Sequence, residues 1–486
     1  MKNYILIPIL LSISFGFGQE KQTQNDTSYK KRVLENTEVD FLNSYYTQDG
    51  NNASVTGGIG NEHLEDITPT IVVSVPLNDD DVLTIDAGIS TYSSASSSNL
   101  NPFDRYIKVK TGTVVVTGAS SSTVQTSYTR VSTPTPWAAS TGASRADIWG
   151  NLTGKYSHSS DNRNTIWDAD ISLSHEFDYN SLGIGGGLTQ LFNDKNTTVG
   201  LSAKVYLDAW RPRYPTELDS YLQADNNLNA GFFSGITIWN QNGNKSLDWH
   251  PVSGFSLINN KARNSYSASL SLSQIISKNA QISLFVDVVM QQGWLGNPTQ
   301  RVYFGDIPNF YIGNKATIPY YTSPTNKDVF QLADDFERLP STRLKIPFGM
   351  RFNYYINEMF ALRTYYRYYS DDWGIYAHTA SLEIPIKVST KWTLYPSFRY
   401  YNQTQADYFA PYEQNLSTST YYTSDYDLSK FSANQYSLGV RYTDIFAKFH
   451  IASLGLKSMD LKYSNYKRNT GLKANIVSFG FKFILD

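Results

Sequence analysis

From residue 33 onward, apolar and polar residues alternate with a period of two in one short segment after another. Between Trp167 and Ser174, apolar residues take the odd positions, and Asp or Ser takes the even ones. Side chains along a β-strand point alternately to its two faces, so this period predicts strands with one apolar and one polar face. About sixteen such segments occur, each near the ~9–11 residues that a tilted strand needs to cross a bilayer. They lie near 33–46, 69–77, 82–92, 145–158, 165–178, 182–192, 197–210, 265–277, 281–292, 343–356, 359–371, 376–388, 392–403, 433–443, 453–463 and 474–485.

The connections between these segments differ in length on alternate sides. Short links at 78–81, 278–280, 357–358 and 389–391 alternate with long ones at 47–68, 93–144, 211–264, 293–342 and 404–432. A soluble β-sandwich or propeller predicts no such asymmetry, and no repeat of 20–50 residues indicates a propeller. The sequence therefore predicts an all-β fold, a transmembrane antiparallel β-barrel of about 16 strands with short periplasmic turns and long extracellular loops. The link 178–181 is short where a long loop is expected, which leaves the strand count open by one hairpin.

Composition agrees with a large all-β body. The 486 residues include 36 Tyr, 25 Phe and 9 Trp, the formal net charge is −2, and cysteine is absent. Absence of cysteine excludes disulfides, thiolate metal sites and cysteine nucleophiles, and the near-neutral charge gives no reason to expect a nucleic-acid partner.

The N-terminal sequence MKNYILIPILLSISFGFG has the pattern of a secretory signal peptide. Lys2 provides a positive start, 5–15 form a mainly apolar region, and Gly16 and Gly18 are small residues suited to cleavage. We expect a signal peptide at 1–18, a periplasmic N-terminal tail at 19–32 and a single transmembrane β-barrel at 33–486. The predicted location is the outer membrane of the cell, after export directed by the signal peptide.

The C-terminal segment SFGFKFILD predicts the closing strand. Ser478, Gly480, Phe483 and Leu485 match a polar-x-Gly-x-x-apolar-x-apolar pattern that resembles the terminal signal read by the outer-membrane assembly machinery, although Asp486 follows the last apolar residue. Expected partners are therefore outer-membrane lipids and, during biogenesis, that machinery. A tension is that Pro347, Pro385 and Pro396 fall inside predicted strands, where proline cannot donate to a ladder, so we expect bulges or membrane boundaries there.

If the apolar faces meet lipid, the polar faces line the interior, since a charge facing lipid near the midplane costs about 2–4 kcal/mol for Arg or Lys. The second half then supplies mostly basic lumen residues and the first half acidic ones. The charges either create a transverse field that orients a passing solute, or pair across the barrel as an ion-pair scaffold. The basic set is Arg343, Lys345, Arg351, Arg363, Arg367, Arg399 and Arg441; the acidic set is Glu38, Asp40, Asp86, Asp168, Asp170, Glu176, Asp208, Asp287 and Glu383.

Signals for catalysis are weak. None of the six histidines belongs to a metal-spaced pair or a nucleophile motif. Asp371, Asp372 and His378 could gather around a tight turn as a cation or zinc site, or be a solvated turn beside a boundary histidine. His450 near Ser453 is the one faint hydrolase candidate. We expect no enzyme activity and no cofactor.

Aromatic residues in the loops have two interpretations. They could belong to the girdle at headgroup depth, or form a binding surface for a glycan, peptide or protein. The set comprises Trp210, Trp239, Trp249, Tyr408, Tyr412, Tyr421, Tyr422, Tyr426 and Tyr436.

Several stretches together resemble one known family. They are TEVDFLNSYYTQDGNNASVTGGIGNEHLEDITP, ERLPSTRLKIPFGMRFNYYIN, YYRYYSDDWGIYAHTASLEIPIK, ADYFAPYEQ and YYTSDYDLS. They are similar to exported bacterial proteins of the domain of unknown function 3570 family. The resemblance implies an outer-membrane protein of a Bacteroidota-type organism and brings no catalytic residues. It also implies gene neighbours encoding a small lipoprotein, a thioredoxin-like protein and a flavin transferase.

The function that we predict is a channel or exporter for a small polar solute or peptide through a charged lumen. The alternative is a non-conducting barrel that serves as a scaffold subunit of an outer-membrane complex with a small lipoprotein or other subunits. A third class, an outer-membrane hydrolase, depends on His450 and Ser453 alone.

Overall fold

The computed structural model describes residues 32–94, 113–118, 121–126, 146–323, 326 and 328–485. The predicted signal peptide, the predicted tail up to residue 31, most of 93–144 and Asp486 lie outside these residues.

Sixteen strands form one closed antiparallel barrel. Each strand pairs with the next, and the last pairs with the first from Thr37 opposite Leu485 to Asp49 opposite Lys473, which leaves no free edge. The predicted fold class and strand count are thereby confirmed. The strands are β1 Thr37–Asp49, β2 Leu64–Pro76, β3 Asp81–Ser94, β4 Ala146–Ser159, β5 Thr165–His175, β6 Tyr179–Phe192, β7 Thr197–Trp210, β8 Lys261–Ser277, β9 Ala280–Gly293, β10 Thr342–Lys345 with Phe348–Tyr355, β11 Ala361–Ser370, β12 Tyr376–Glu383 with Ile386–Lys387, β13 Trp392–Gln403, β14 Phe431–Thr443, β15 Leu454–Arg468 and β16 Lys473–Leu485.

The outer surface of the barrel is apolar. Large hydrophobic side chains alternate outward along each strand and are exposed, for example Ile71, Ile171, Leu201, Leu270 and Leu438. A closed barrel satisfies all its backbone hydrogen bonds internally, and an apolar exterior suits contact with lipid chains. The strands therefore form a membrane-spanning barrel.

The three prolines occupy places where a missing donor costs little. β10 is interrupted before Phe348 and β12 before Ile386, so Pro347 and Pro385 sit in the gaps of their strands. Pro396 lies inside β13, but its carbonyl accepts from the Ile384 N–H (3.1 Å) beside the gap in β12. Since N–H and C=O of one strand residue point the same way, the donor that Pro396 lacks would face that gap rather than β14.

The even number of strands is as the sequence predicts, but long and short connections do not alternate as strictly as expected. One rim carries the connections 50–63, 211–260, 294–341 and 404–430, together with three short ones at 176–178, 371–375 and 469–472. The short link near residue 178 is thus a tight hairpin at the loop rim. The other rim has short turns and one longer connection at 444–453.

Four loops, 50–63, 211–260, 294–341 and 404–430, pack together into what we call the loop domain. It has its own core, in which Leu218, Trp249, Tyr303, Phe330 and Leu332 are fully buried. It contains the helix α1 (Thr216–Gln223), a three-stranded sheet and a two-stranded sheet; their strands are Ile238–Asn240, Phe310–Gly313, Val329–Gln331, Arg301–Val302 and Asp335–Phe336.

Within the described ranges, no helix is both long and apolar enough to span a membrane.

As a group, the loop aromatics form neither a girdle at headgroup depth nor a shared binding surface. Trp249 and Tyr422 are buried inside the loop domain, while Tyr436 is exposed on the outer face of β14. The reason is that the loops pack against one another, which sequence periodicity does not reveal.

Candidate lumen site

A basic arc lines the lumen along β10 to β15. Arg351 of β10 lies opposite Tyr365 of β11, and Arg367 lies opposite Gly349 of β10. Across β12, Tyr365 and Ser381 share a row with Arg399 of β13. Directly paired residues in an antiparallel sheet face the same side. The register therefore places all three arginines on the inward face, with tyrosines between them.

Many of the other lumen charges are paired, and the pairs lie along the wall rather than across the barrel. Arg363 binds Glu383 at 3.0 Å and Arg441 binds Asp460 at 3.0 Å, in each case between neighbouring strands. Arg343 donates from Nε to Asp371 at 2.9 Å. The interpretation that acidic and basic walls pair across the barrel is therefore wrong for these residues, because partners one strand apart are already within reach.

Several charges of the acidic half are neutralised by lysines on nearby strands, which the alternating pattern alone does not identify. Lys155 binds Asp168 at 3.0 Å and Lys204 binds Asp170 at 2.7 Å. Gly185 of β6 lies between Asp170 on β5 and Lys204 on β7. It leaves room for their ion pair, since a Cβ there would lie 2.5 Å from the Asp170 carboxylate. Near the closing seam, the acidic side chains Glu38 and Asp40 are bound in the same way. Glu38 contacts Lys457 (2.6 Å) and Lys482 (2.9 Å), and Asp40 contacts Lys482 (3.2 Å).

Three inward-facing arginines lack an acidic partner. Within the part of the chain that the structure describes, Arg351, Arg367 and Arg399 have no carboxylate within 4.0 Å. Arg351 lies over Phe285 and Tyr365, with 5.7 Å from its guanidinium carbon to each ring centre. The Nε of Arg367 is buried and makes no hydrogen bond. Lys345, also inward on β10, likewise lacks an acidic partner among the described residues.

The remaining predicted acids are scattered. Asp86 faces inward on β3 with one buried carboxylate oxygen that makes no hydrogen bond, and Asp287 faces Ser269 of β8. Asp208 accepts from Tyr179, and Glu176, which lies in the hairpin just beyond β5, accepts from Tyr92. In a sixteen-strand barrel, strands eight apart are diametrically opposite, so Arg367 on β11 faces the β3 wall.

A cavity of about 310 Å³ opens in the basic arc, where β13, β14 and β15 meet the loop 404–430. Arg399 and Arg468 contribute to its wall, and Ala433 lies between them on the middle strand. Nine residues line it: Arg399, Tyr401, Gln403, Asp427, Phe431, Ala433, Gln435, Tyr466 and Arg468.

The loop domain covers the lumen at the loop rim. Inward residues near that rim, such as Ala433 at 1% and Ala474 at 1%, are buried. Farther from the loop domain, the side chains of Arg363 and Arg441 are 57% and 54% exposed. The lumen is therefore solvated on the turn side and covered on the loop side.

Buried carboxyl groups occur where the loops 294–341 and 404–430 meet. Glu337 accepts from the backbone N–H of Asn297 and from the hydroxyl of Thr423. Burial raises the pKa of Glu337 to about 8 and that of Asp334 to about 8. Burial also raises the pKa of Asp425 to about 6. Glu337 and Asp425 join the two loops, through Thr423 and Gln300 respectively. The raised pKa values let Glu337 and Asp334 retain a proton at neutral pH.

A family model covers nearly the whole chain, since the family described as protein of unknown function (DUF3570) matches residues 9–480. The chain belongs to the DUF3570 family. Among curated proteins, none matches it.

Comparison with solved structures finds similar proteins at low sequence identity. This DUF3570 barrel is similar to a bacterial polysaccharide outer membrane secretin, with 9% identity and a TM-score of 0.38 over 94% of this chain and 100% of that chain. It is similar to Pseudomonas aeruginosa OpdK with vanillate, with 7% identity and a TM-score of 0.34 over 92% and 98%. A Pseudomonas aeruginosa FadL homologue gives 10% identity and a TM-score of 0.37 over 93% and 91%.

The possible metal residues of this DUF3570 barrel do not come together. Asp371 accepts from Arg343, from Tyr369 and from two backbone N–H groups of its own turn. Asp372 accepts from the Leu344 N–H, and His378 contacts the Tyr366 hydroxyl on the outer face. Within the described ranges, no group of three or more His, Asp or Glu residues has a metal-binding arrangement.

The hydrolase candidates lie at the turn side, and the predicted terminal signal lies on the closing strand. His450 and Ser453 are exposed in the 444–453 connection. Ser478 and Gly480 of the predicted terminal signal face inward on β16, whereas Phe483 and Leu485 face outward. Phe483 packs edge-on against Phe41 of β1 with ring centres 5.9 Å apart, which helps to close the barrel.

Proposed function

We propose that the protein is an outer-membrane barrel that passes a small polar, anionic solute or peptide through its lumen. The observation that carries the proposal is the inward set of Arg351, Arg367 and Arg399, which no described carboxylate neutralises. An arginine is always charged at physiological pH, so an unpaired one needs water or an anion beside it.

The outer-membrane location is supported by the exterior and the connections. Lipid-facing apolar side chains and closure of every strand edge suit a bilayer, and long loops at one rim suit the cell exterior. The turn side would then face the periplasm, where the solvated part of the lumen begins.

Anion preference follows from the same arginines. Positive side chains lining a narrow aqueous path raise the local concentration of anions and disfavour cations. Paired charges such as Arg441 with Asp460 contribute little to this field because their charges cancel. The loop domain covers the exit, so passage requires it to shift.

The test is conduction by the full chain purified in detergent and inserted into a planar bilayer. We expect ion steps with anion preference, and reversal of that preference in the triple variant R351E/R367E/R399E. The matched control is R441Q/D460N, which removes a neutral pair and should leave the preference unchanged. Equal anion and cation permeability in the parent and the triple variant, with folding intact, would refute the proposal.

A second candidate is a non-conducting scaffold for a small lipoprotein or other outer-membrane subunits. It is favoured by the loop domain, whose buried core covers the lumen at one rim. Silent bilayers together with a stoichiometric protein partner retained in mild detergent would support the scaffold over the channel.

A further inference from the structure

The cavity beneath the loop 404–430 has the features of a built anion site. Its two cations, Arg399 on β13 and Arg468 on β15, are separated by two strand spacings, about 10 Å, and by two residues along the strands. Ala433, the residue between them in the Arg468 row, is small enough to leave the space open.

The two guanidinium groups differ in how many of their N–H groups already donate to protein acceptors. Arg399 makes no hydrogen bond or ion pair with any described residue. Arg468 donates from Nε to the Tyr466 hydroxyl (2.9 Å) and from Nη1 to Asp427 (2.6 Å), and it stacks over Phe431. Its Nη2 group has no protein acceptor among the described residues. The cavity therefore offers one free guanidinium and part of a second.

The rest of the wall is held rigid by neutral polar contacts. The Gln403 amide donates to the carbonyls of Asp427 (2.9 Å) and Ser429 (2.6 Å), which fixes the loop against the strand. The Tyr401 hydroxyl donates to the Gln403 side-chain oxygen at 2.5 Å. A site whose polar groups are already positioned loses little entropy when a ligand enters.

We propose that this cavity binds a small oxyanion with two acceptor ends, such as a dicarboxylate or a phosphate ester. One end would be bound by Arg399, and the other would compete with the Asp427 carboxylate for Arg468. Bidentate contacts to carboxylate or phosphate are what guanidinium groups form best. A volume of about 310 Å³ accommodates a small metabolite rather than a polymer. This assignment rests on the proposed passage function and names its substrate class.

The test is calorimetric titration of the full chain in detergent at low salt with succinate and, separately, with inorganic phosphate. Succinamide serves as the neutral analogue. We expect saturable binding of at least one anion and none of succinamide, with affinity lowered about tenfold or more in R399Q. R351Q, which removes an unpaired lumen arginine outside the cavity, is the matched control and should retain binding. Equal loss in R399Q and R351Q would overturn the site, since it would indicate only a general lumen charge. Binding of succinate alone or of phosphate alone would identify which of the two chemistries the site accepts.

A second variant protects the test against misfolding. D427N removes the acid that competes for Arg468, so it should raise anion affinity severalfold, a gain that an unfolded protein cannot produce. Unchanged affinity in D427N together with unchanged affinity in R399Q overturns the site. Saturable binding in a barrel that does not conduct would uphold the site and refute passage, whereas selective conduction without saturable binding would do the reverse.

Discussion

Arg301 and Glu217, from two different loops, form a two-point ion pair inside the loop domain with both side chains only 1% exposed. Nε lies 2.7 Å and Nη2 3.0 Å from the two Glu217 oxygens, while Nη1 donates to the carbonyl of Val55 in a third loop (2.8 Å). One guanidinium thus joins three of the four loops that cover the lumen.

Removing one partner of this pair should loosen the loop domain. E217Q leaves Arg301 buried without a counter-charge, and we expect a loss of about 3–5 kcal/mol in loop-domain stability. Limited proteolysis should cut the loops faster while the barrel keeps its β-type circular dichroism. The double variant E217L/R301M, which removes both charges, should lose far less, and equal proteolysis of the two variants would contradict the role of the charges.

Loop-domain stability should fall as pH rises through the neutral range. The ordinary pKa of Glu337 is 4.5 and burial raises it to about 8, with the nearby Asp425 charge acting in the same direction and Arg263 in the opposite one. Between these pH values the unfolded loops have lost the proton that the folded ones retain, so the contribution of this group weakens from about pH 4.5 to 8 and then levels off. Protection factors in 294–341 and 404–430, which are exchange rates corrected for the intrinsic rise of amide exchange with pH, should fall from pH 5 to 8, and E337Q should reduce that fall. The same fall in E337Q would assign the effect to other groups.

Filling the space beside the Lys204–Asp170 pair should weaken the barrel wall. A Cβ at Gly185 would lie 2.5 Å from an Asp170 oxygen, whereas one at Gly154 on β4 would meet nothing within 4 Å. We expect G185A to lower stability by about 1–3 kcal/mol and G154A to have little effect. Urea titrations followed by tryptophan fluorescence compare the two, and equal midpoints would refute the steric explanation.

Truncating Phe483 should slow closure of the barrel. Its ring packs on Phe41 across the β1–β16 seam. F483A should lower the folded fraction reached in a fixed time in lipid vesicles, measured as the heat-modifiable band on a gel. F446A, at a residue 80% exposed in the 444–453 turn, is the control and should assemble normally.

The barrel was predictable from the sequence because its two faces meet different media. The period is lost where strands rise above the apolar zone, and this is why β2 begins at Leu64 rather than near residue 69. Likewise, β15 continues to Arg468, beyond the predicted end at residue 463. Its last outward positions are the polar residues Asn465 and Lys467, so the apolar row that marks the strand stops before the strand does.

The candidate site was only partly predictable. The inward arginines follow from alternation, but their partners depend on register between strands, which a single sequence does not encode visibly. Lys155 and Lys204 were missed for that reason, and so was Arg468. The loop domain was missed because its core residues have no period and come from four separate stretches.

The loop domain also imposes an order on biogenesis. Its contacts join residues far apart in the chain, as when Phe304 bridges to Asn415 and Asn52 donates to the carbonyl of Thr470. Loop closure over such separations is slow unless the strands between them are already assembled. Until the strands that flank the loops are assembled, aromatic residues such as Trp249 and Phe330 have no complete core to enter. A chain whose strands have not yet paired therefore exposes the hydrophobic residues of these loops to water.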